Sequence, residues 1–232
     1  IDWSNNSKKV LIHNYISITD SRVHIVDVET KEQRLVLGDP DKKSVNSGLG
    51  FDNNDEGIFY ITDEFNEFNN LAYKNLDSGK ISLITGDIKW DVDGFALSKD
   101  KKRAALTVND NGFSPLYLLN INTYKYKKVS NIPIGLVGGI NFNDQSKMLG
   151  LSINTHQSPS DSYTLELKRS PLSYGKLTRW TDSEVGGLDT SSFVTPELIT
   201  YKSFDDLEIP AFVYAKDSDD PFFMFVTPNG PY

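Results

Sequence analysis

The sequence predicts an all-β chain: a partial β-propeller of about four blades of antiparallel strands, followed by a short tail of further strands. Three observations carry this reading. A pattern recurs about every 46 residues through positions 1–181, as in repeat architectures. Each copy holds about four short segments that alternate polar with apolar residues and are rich in Val, Ile, Leu, Tyr and Thr. No helical stripe of 10 or more residues interrupts them. Four short antiparallel strands per repeat of roughly 40–50 residues is the pattern of propeller blades.

Each repeat opens on an apolar residue, a small polar residue and a polar turn into an apolar strand. This reads Trp3-Ser4-Asn5-Asn6-Ser7-Lys8-Lys9-Val10, then Phe51-Asp52-Asn53-Asn54-Asp55-Glu56-Gly57-Ile58. It returns as Leu97-Ser98-Lys99-Asp100-Lys101-Lys102-Arg103-Ala104 and Phe142-Asn143-Asp144-Gln145-Ser146-Lys147-Met148-Leu149. A second turn follows in each copy: Val28-Glu29-Thr30-Lys31, Leu76-Asp77-Ser78-Gly79-Lys80 and Ile121-Asn122-Thr123-Tyr124-Lys125. The fourth copy is looser, running from Leu167 to Gly175-Lys176-Leu177. Two landmarks that keep the same period make coincidence a poor explanation.

In the third repeat the strands are expected at Gly94–Ser98, Arg103–Val108, Pro115–Asn120 and Tyr124–Val129. Four antiparallel sheets are expected over residues 1–181, the first lacking its leading strand. The domain division expected is 1–189 for the propeller and 190–232 for a linker and tail. Tail strands are expected at Leu198–Ser203, Ile209–Tyr214 and Phe222–Val226. The run Phe222-Phe223-Met224-Phe225-Val226 has the all-apolar character of a strand meant to be covered on both faces. Without such cover it should be unusually exposed, poorly ordered or parked against the propeller.

Composition bounds the function. With 232 residues, 38% hydrophobic and 12% aromatic, the chain can bury a sizeable core and does not have the makeup of a disordered segment. The formal charge of -8 argues against a nucleic-acid partner. The absence of cysteine excludes disulfides, thiolate metal sites and cysteine nucleophiles, but does not fix the compartment, cytoplasmic or periplasmic. No run approaches the roughly 20 apolar residues of a membrane-spanning helix.

The stretch Leu177-Thr178-Arg179-Trp180-Thr181-Asp182-Ser183-Glu184-Val185-Gly186-Gly187-Leu188-Asp189 leads into Pro196-Glu197-Leu198-Ile199-Thr200-Tyr201-Lys202-Ser203-Phe204-Asp205-Asp206-Leu207-Glu208-Ile209-Pro210-Ala211-Phe212-Val213-Tyr214. Its Trp and Gly-Gly mark a tight passage out of the propeller. Over these 38 residues, 177–214, the chain resembles the passage from β-propeller to α/β-hydrolase domain in prolyl oligopeptidase-family serine peptidases. The repeat turns also resemble those of the family's propellers, "W-S-P-D-G-K-x-I" and "D-x-x-T-G-K", with the Pro-Asp-Gly core eroded in every copy.

The resemblance implies a fragment: further blades before Ile1, and a Ser–Asp–His triad after Tyr232. It implies peptide hydrolysis through an acyl-enzyme in the parent, with the propeller gating access for short peptides and packed on its own catalytic domain. It implies no cofactor or metal, and no activity for this chain alone. The family usually carries His-Gly-Gly-Pro after the apolar strand, near the oxyanion hole. Here Val226-Thr227-Pro228-Asn229-Gly230-Pro231-Tyr232 stands there. Either Pro228–Pro231 replaces all four residues, or Asn229-Gly230-Pro231 aligns with one Gly lost. Asn229 and Gly230 are the candidate oxyanion-loop residues; a plain turn is the competing reading.

Other motifs favour structural readings. There is no Gly-x-Ser-x-Gly elbow, and His13, His24 and His156 all precede the hydrolase-like segment. Ser98-Lys99-Asp100-Lys101 and Ser173-Tyr174-Gly175-Lys176 match a serine–lysine dyad but fall in blade turns. Asp52-Asn53-Asn54-Asp55-Glu56-Gly57 is similar to a calcium loop, yet it keeps register with the other repeat turns and lacks the final Glu, with Asp63 in its place. Trp90-Asp91-Val92-Asp93-Gly94 reads as blade entry. Asn5-Asn6-Ser7 fits a glycosylation acceptor, also in a repeat turn. Two alternatives compete with the peptidase reading. One is a propeller scaffold in which residues 196–232 form a trailing hairpin. The other is a propeller enzyme with its site in the central channel.

Overall fold

The computed structural model describes residues 2–215 and 223–226. Four four-stranded antiparallel sheets follow one another along the chain. The first holds β1 (Asp2–Trp3), β2 (Lys9–Ser17), β3 (Asp20–Asp27) and β4 (Gln33–Leu37). The second holds β5 (Asn46–Phe51), β6 (Gly57–Thr62), β7 (Asn70–Asn75) and β8 (Ile81–Leu83). The third is built of β9 (Val92–Leu97), β10 (Arg103–Val108), β11 (Leu116–Asn120) and β12 (Tyr126–Lys128). The fourth comprises β13 (Leu136–Phe142), β14 (Met148–Thr155), β15 (Ser158–Leu167) and β16 (Tyr174–Arg179). Each strand pairs with its neighbours in sequence, so every sheet is a meander and the chain is a four-blade partial propeller.

One expectation needs correction. The first sheet does have a leading strand, since Asp2 pairs with Leu11 and Trp3 with Val10. Two residues are enough because β2 is long and its edge is free to receive them.

The repeat turns explain themselves in backbone terms. Ser7, Asp55, Lys101 and Ser146 hold the same place in the four opening turns and have φ of 57°, 59°, 51° and 55°. This is the left-handed region that glycine enters most easily. The turn keeps its shape although its glycine is gone, because hydrogen bonds close it. The amides of Ser4, Asp52, Ser98 and Asn143 donate to the carbonyls of Lys9, Gly57, Arg103 and Met148 at 2.9–3.0 Å. The second turn repeats the device at Lys31, Gly79 and Tyr124, with φ of 61°, 71° and 55°.

The core lies between blades rather than within them. Leu11, Val23 and Ile25 of the first blade pack with Phe51, Ile58 and Tyr60 of the second. Phe59 and Leu71 pack with Leu106 and Leu119 of the third, and Leu116 and Leu118 with Leu149, Ile153 and Leu165 of the fourth. Middle strands are sandwiched on both faces, which is why β10 is buried at all six positions. Polar links join successive opening turns. Asn5 Nδ2 donates to Asp52 O at 2.7 Å, Lys101 Nζ to Phe51 O at 2.7 Å, and Asp100 N to Ser146 Oγ at 3.1 Å.

After Arg179 the chain passes through a three-residue 3₁₀ turn, η1 (Thr190–Ser192), into a separate antiparallel sheet. This sheet contains β17 (Glu197–Lys202), β18 (Glu208–Tyr214) and β19 (Phe223–Val226), in that order. Among the described residues it pairs with no blade strand, and no helix is long and apolar enough to cross a membrane.

Candidate functional site at the joint between propeller and tail

Alternate connections of a meander emerge at the same end of its sheet. The opening and second turns therefore share one end of the blades, while the β2–β3, β6–β7, β10–β11 and β14–β15 connections share the other. The tail docks on that second end, against the third and fourth blades.

The passage out of the fourth blade is fastened by Asp161 of β15, which has no solvent exposure. Its carboxylate accepts hydrogen bonds from Ser158 Oγ and the Arg179 guanidinium. It also accepts from Thr181 Oγ1 at 2.8 Å, and from Ser183 N and Oγ at 2.9 and 3.0 Å. The Ser158 hydroxyl, with those of Thr181 and Ser183 and the Arg179 guanidinium, holds the Asp161 carboxyl far below the usual carboxylate range. Trp180 adds a second fastening, its indole N–H donating to Thr164 Oγ1 at 2.8 Å.

Beyond Ser183 the hold weakens. Gly186 and Gly187 are consecutive left-handed residues, φ +70° and +73°, with nothing within 4 Å of where a Cβ would stand. The passage expected to be tight is therefore an open reversal, and its two glycines are required by dihedral angle rather than by crowding.

Among the described residues, two side-chain contacts link the tail to the propeller. Phe113, in the β10–β11 connection, meets Phe212 of β18 edge to face at 4.8 Å and 69°. His156, at the tip of the β14–β15 hairpin, has Nε2 3.1 Å from Thr195 Oγ1. Between these contacts lies a cavity of about 410 Å³. Its propeller wall is made by Phe113, Ile134, Leu136 and His156, and its tail wall by Pro196, Leu198, Phe212 and Tyr214. No Asp, Glu, Lys or Arg is among its described lining residues. A second cavity of about 430 Å³ shares Ile134, Thr155 and His156 with the first and has Arg179, Asp182 and Ser183 in its wall.

Among the described residues, the other motif residues singled out in the sequence are not brought to this joint, with one exception. Asn229 and Gly230 lie outside the described residues. His156 reaches the joint as a contact to Thr195, whereas His13 and His24 lie in the first blade. Ser98 is buried in its turn, where its hydroxyl lies within hydrogen-bond distance of Asp100 Oδ1 and Arg103 O and accepts from Arg103 N. Ser173 accepts from Lys168 N through its carbonyl, and the neighbouring Lys176 amide donates to Glu166. The Asp52 carboxylate is engaged by the amides of Asn54 and Glu56 and by Tyr73 OH, and Asp55 by Asn5. The Asn5 side chain is itself committed to the second blade's turn. Sequence reasoning missed both the cavity and the Asp161 cluster. The only trace of the cluster was a run of Ser and Thr around Arg179, and loop residues such as Phe113 and Ile134 carry no periodic signal.

No protein-family model and no curated protein matches the chain. Solved structures do. A prolyl endopeptidase from a study of inter-domain dynamics in catalysis and specificity superposes with a TM-score of 0.75 at 13% identity, over 91% of this chain and 30% of its own. Prolyl oligopeptidase B from Galerina marginata, bound to a 35mer substrate, gives 0.75 at 12% identity over 91% and 30%. A puromycin hydrolase gives 0.76 at 13% identity over 94% and 34%. A Mycobacterium tuberculosis puromycin-hydrolyzing peptidase gives 0.74 at 13% identity over 91% and 32%. At such identity the likeness is one of fold, and it is consistent with a piece of a prolyl oligopeptidase-type chain. The chain spans about a third of the length of these structures.

Proposed function

We propose that this chain is part of a prolyl oligopeptidase-family serine peptidase. Residues 1–189 would be the C-terminal blades of its propeller, and 190–232 the linker and first strands of its α/β-hydrolase domain. The observation that carries the reading is the fold likeness over 91% of the chain, which reaches past the blades into the tail. The 177–214 phrase supports it from the sequence side, and so does the tail's failure to complete a blade among the described residues. A trailing hairpin of a scaffold propeller would be expected to pair with one.

In this reading the parent cleaves short peptides through an acyl-enzyme whose nucleophile, acid and base lie beyond residue 232. The blades contribute size selection and a docking platform. Acyl transfer needs nucleophile, base and oxyanion donors within hydrogen-bond reach of one another. The chain by itself supplies at most the last, through Asn229 and Gly230.

The test is to assay this polypeptide and its full-length parent with short chromogenic peptides and a fluorophosphonate label. The parent should turn over peptide and label once. This chain should do neither, since loss of a nucleophile or base lowers turnover by about 10⁶. Stoichiometric labelling of a serine within residues 1–232 would overturn the reading. An inactive parent would assign the altered Pro228-Asn229-Gly230 loop to a family member kept for binding.

A further inference from the structure

The opening and second turns share one end of the blades, and their charge changes along the stack. Those of the first and second blades mix signs, with Lys8, Lys31 and Lys80 exposed among Glu29, Glu32, Glu56 and Asp77. Those of the third and fourth carry Lys99, Lys102, Lys125, Lys147, Lys168 and Arg169, all exposed, against the exposed acids Asp100 and Asp144. Hydrogen bonds gather these turns into one cluster. Asp100 N donates to Ser146 Oγ at 3.1 Å across the two opening turns. The amides of Ile121 and Leu167 donate to the carbonyls of Lys102 and Lys147 at 3.2 and 2.9 Å, tying each second turn to its opening turn. Arg103 Nη2 donates to Lys168 O at 2.6 Å between the blades.

Arg103 sits beneath this cluster with 5% exposure and, among the described residues, makes no ion pair. Its Nε and Nη1 have no hydrogen-bond partner among them either. The acids close by are engaged: Asp100 accepts from Ser98 Oγ and the Lys102 amide, and half-buried Glu166 pairs with Lys168 at 3.2 Å. A buried guanidinium without a counter-charge, under a layer of exposed cations, favours an anion outside. We propose that this end of the third and fourth blades is a docking surface for an anionic membrane, whose lipid phosphates supply the missing counter-charge.

The arrangement of the cations selects a surface over a single anion or a rod-shaped polyanion. Lys99, Lys102 and Lys147 stand on the opening turns, and Lys125, Lys168 and Arg169 on the second turns. Two rows spread over two blades make a two-dimensional array, which a plane of phosphates meets more completely than a nucleic-acid helix does. Each Lys or Arg held near an anionic leaflet raises partitioning by about fivefold. The formal charge of -8 on the whole chain does not oppose this. β10 spans six residues, about 20 Å, whereas the Debye length at physiological ionic strength is about 8 Å. Glu64, Glu67 and Asp110, in connections at the opposite end, are therefore screened from the membrane. Docked this way, the chain turns its tail toward water. The proposal concerns location and stands apart from the peptidase reading.

The test co-sediments this chain with vesicles of phosphatidylcholine alone and of phosphatidylcholine with about one-third phosphatidylglycerol. Binding is expected to the anionic vesicles only, and should fall away as salt rises toward about 0.5 M. Lys102→Gln combined with Lys147→Gln should weaken it by about 25-fold, while Lys31→Gln in the first blade should leave it unchanged. All three side chains are exposed, and an unchanged urea midpoint checks that the variants fold as the wild type does. Hydrogen exchange on the vesicle-bound chain should slow at 99–102 and 144–147 and stay as it was at Phe113 and Phe212. Equal binding to both vesicles, binding indifferent to salt, or a double variant that binds as well as the wild type overturns the proposal. So does capture of duplex DNA under conditions that leave the anionic vesicles unbound.

Discussion

The interface between the second and third blades and the joint between the fourth blade and the tail are both apolar contacts between β-sheets. They differ in almost every physical respect. Across the first, Tyr73, Phe59 and Phe95 form a run of rings at 5.1 and 5.9 Å, with Tyr124 5.8 Å from Tyr73. Phe59, Leu71, Leu106 and Leu119 there have at most 1% exposure. At the joint the described residues show a ring pair, a side-chain hydrogen bond and a cavity of about 410 Å³. Blade faces are large and flat and meet side chain into side chain, whereas the described tail residues meet the blades at the loop residues Phe113 and His156. The blade stack is thus built for stability, and the joint for adjustment.

The largest expected effect tests the stability half of that contrast. Phe59→Ala should cost about 3–5 kcal/mol, the range for truncating a buried aromatic, read as a shifted midpoint in a urea melt. A cost below about 1 kcal/mol would mean that the blades are no better packed than the joint.

The fastening at Asp161 lies between the two regimes, and pH separates it from both. Its folded-state pKa is depressed, so its contribution is complete above the ordinary carboxylate value near 4 and is lost as pH falls through the folded value. Wild-type stability should therefore drop between about pH 5 and about pH 2, and Asp161→Asn, already weaker at neutral pH, should drop less over that range. Parallel pH profiles for the two proteins would remove Asp161 from the account. Limited proteolysis adds a second reading: the variant should be cut sooner between Ser183 and Thr195, where the chain loses its fastening.

At the joint itself, Phe113→Ala should change global stability by only about 1 kcal/mol, the scale of one aromatic pair. The midpoint of a thermal melt should hardly move while the tail becomes more susceptible to protease. A full-sized unfolding shift would show that the tail is integral to the blade stack. The smallest effect concerns the repeat turns. Ser7→Gly relieves a left-handed serine, φ 57°, and should stabilise by up to about 1 kcal/mol. Destabilisation would mean that the Ser7 side chain has a role in its turn.

These contrasts also mark what was legible in the sequence. The third repeat was expected at Gly94–Ser98, Arg103–Val108, Pro115–Asn120 and Tyr124–Val129, and it forms Val92–Leu97, Arg103–Val108, Leu116–Asn120 and Tyr126–Lys128. The tail strands Leu198–Ser203 and Ile209–Tyr214 appear one residue earlier at their starts. The third appears as Phe223–Val226, with Phe222 outside the described residues. Within it Met224 is 46% exposed.

Strands and turns could be read because their signals are local. Alternation has a period of two residues, and a turn is closed by hydrogen bonds spanning about five, so both leave a mark within a short window. The period near 46 then multiplied that local signal by four, which is why blade number and order needed no structure. The joint had no such advantage. Asp161 receives Ser158, Arg179, Thr181 and Ser183 across strand ends that only the folded blade aligns. Phe113 and Phe212 are 99 positions apart along the chain, and a residue of a loop with no fixed pattern meets one of a strand in a different sheet. Local chemistry therefore determined which segments become strands, which residues turn and how many blades follow one another. The docking of the tail, the cavity it encloses and the burial of one carboxylate depend on where separate elements come to rest, and that was decided by tertiary packing alone.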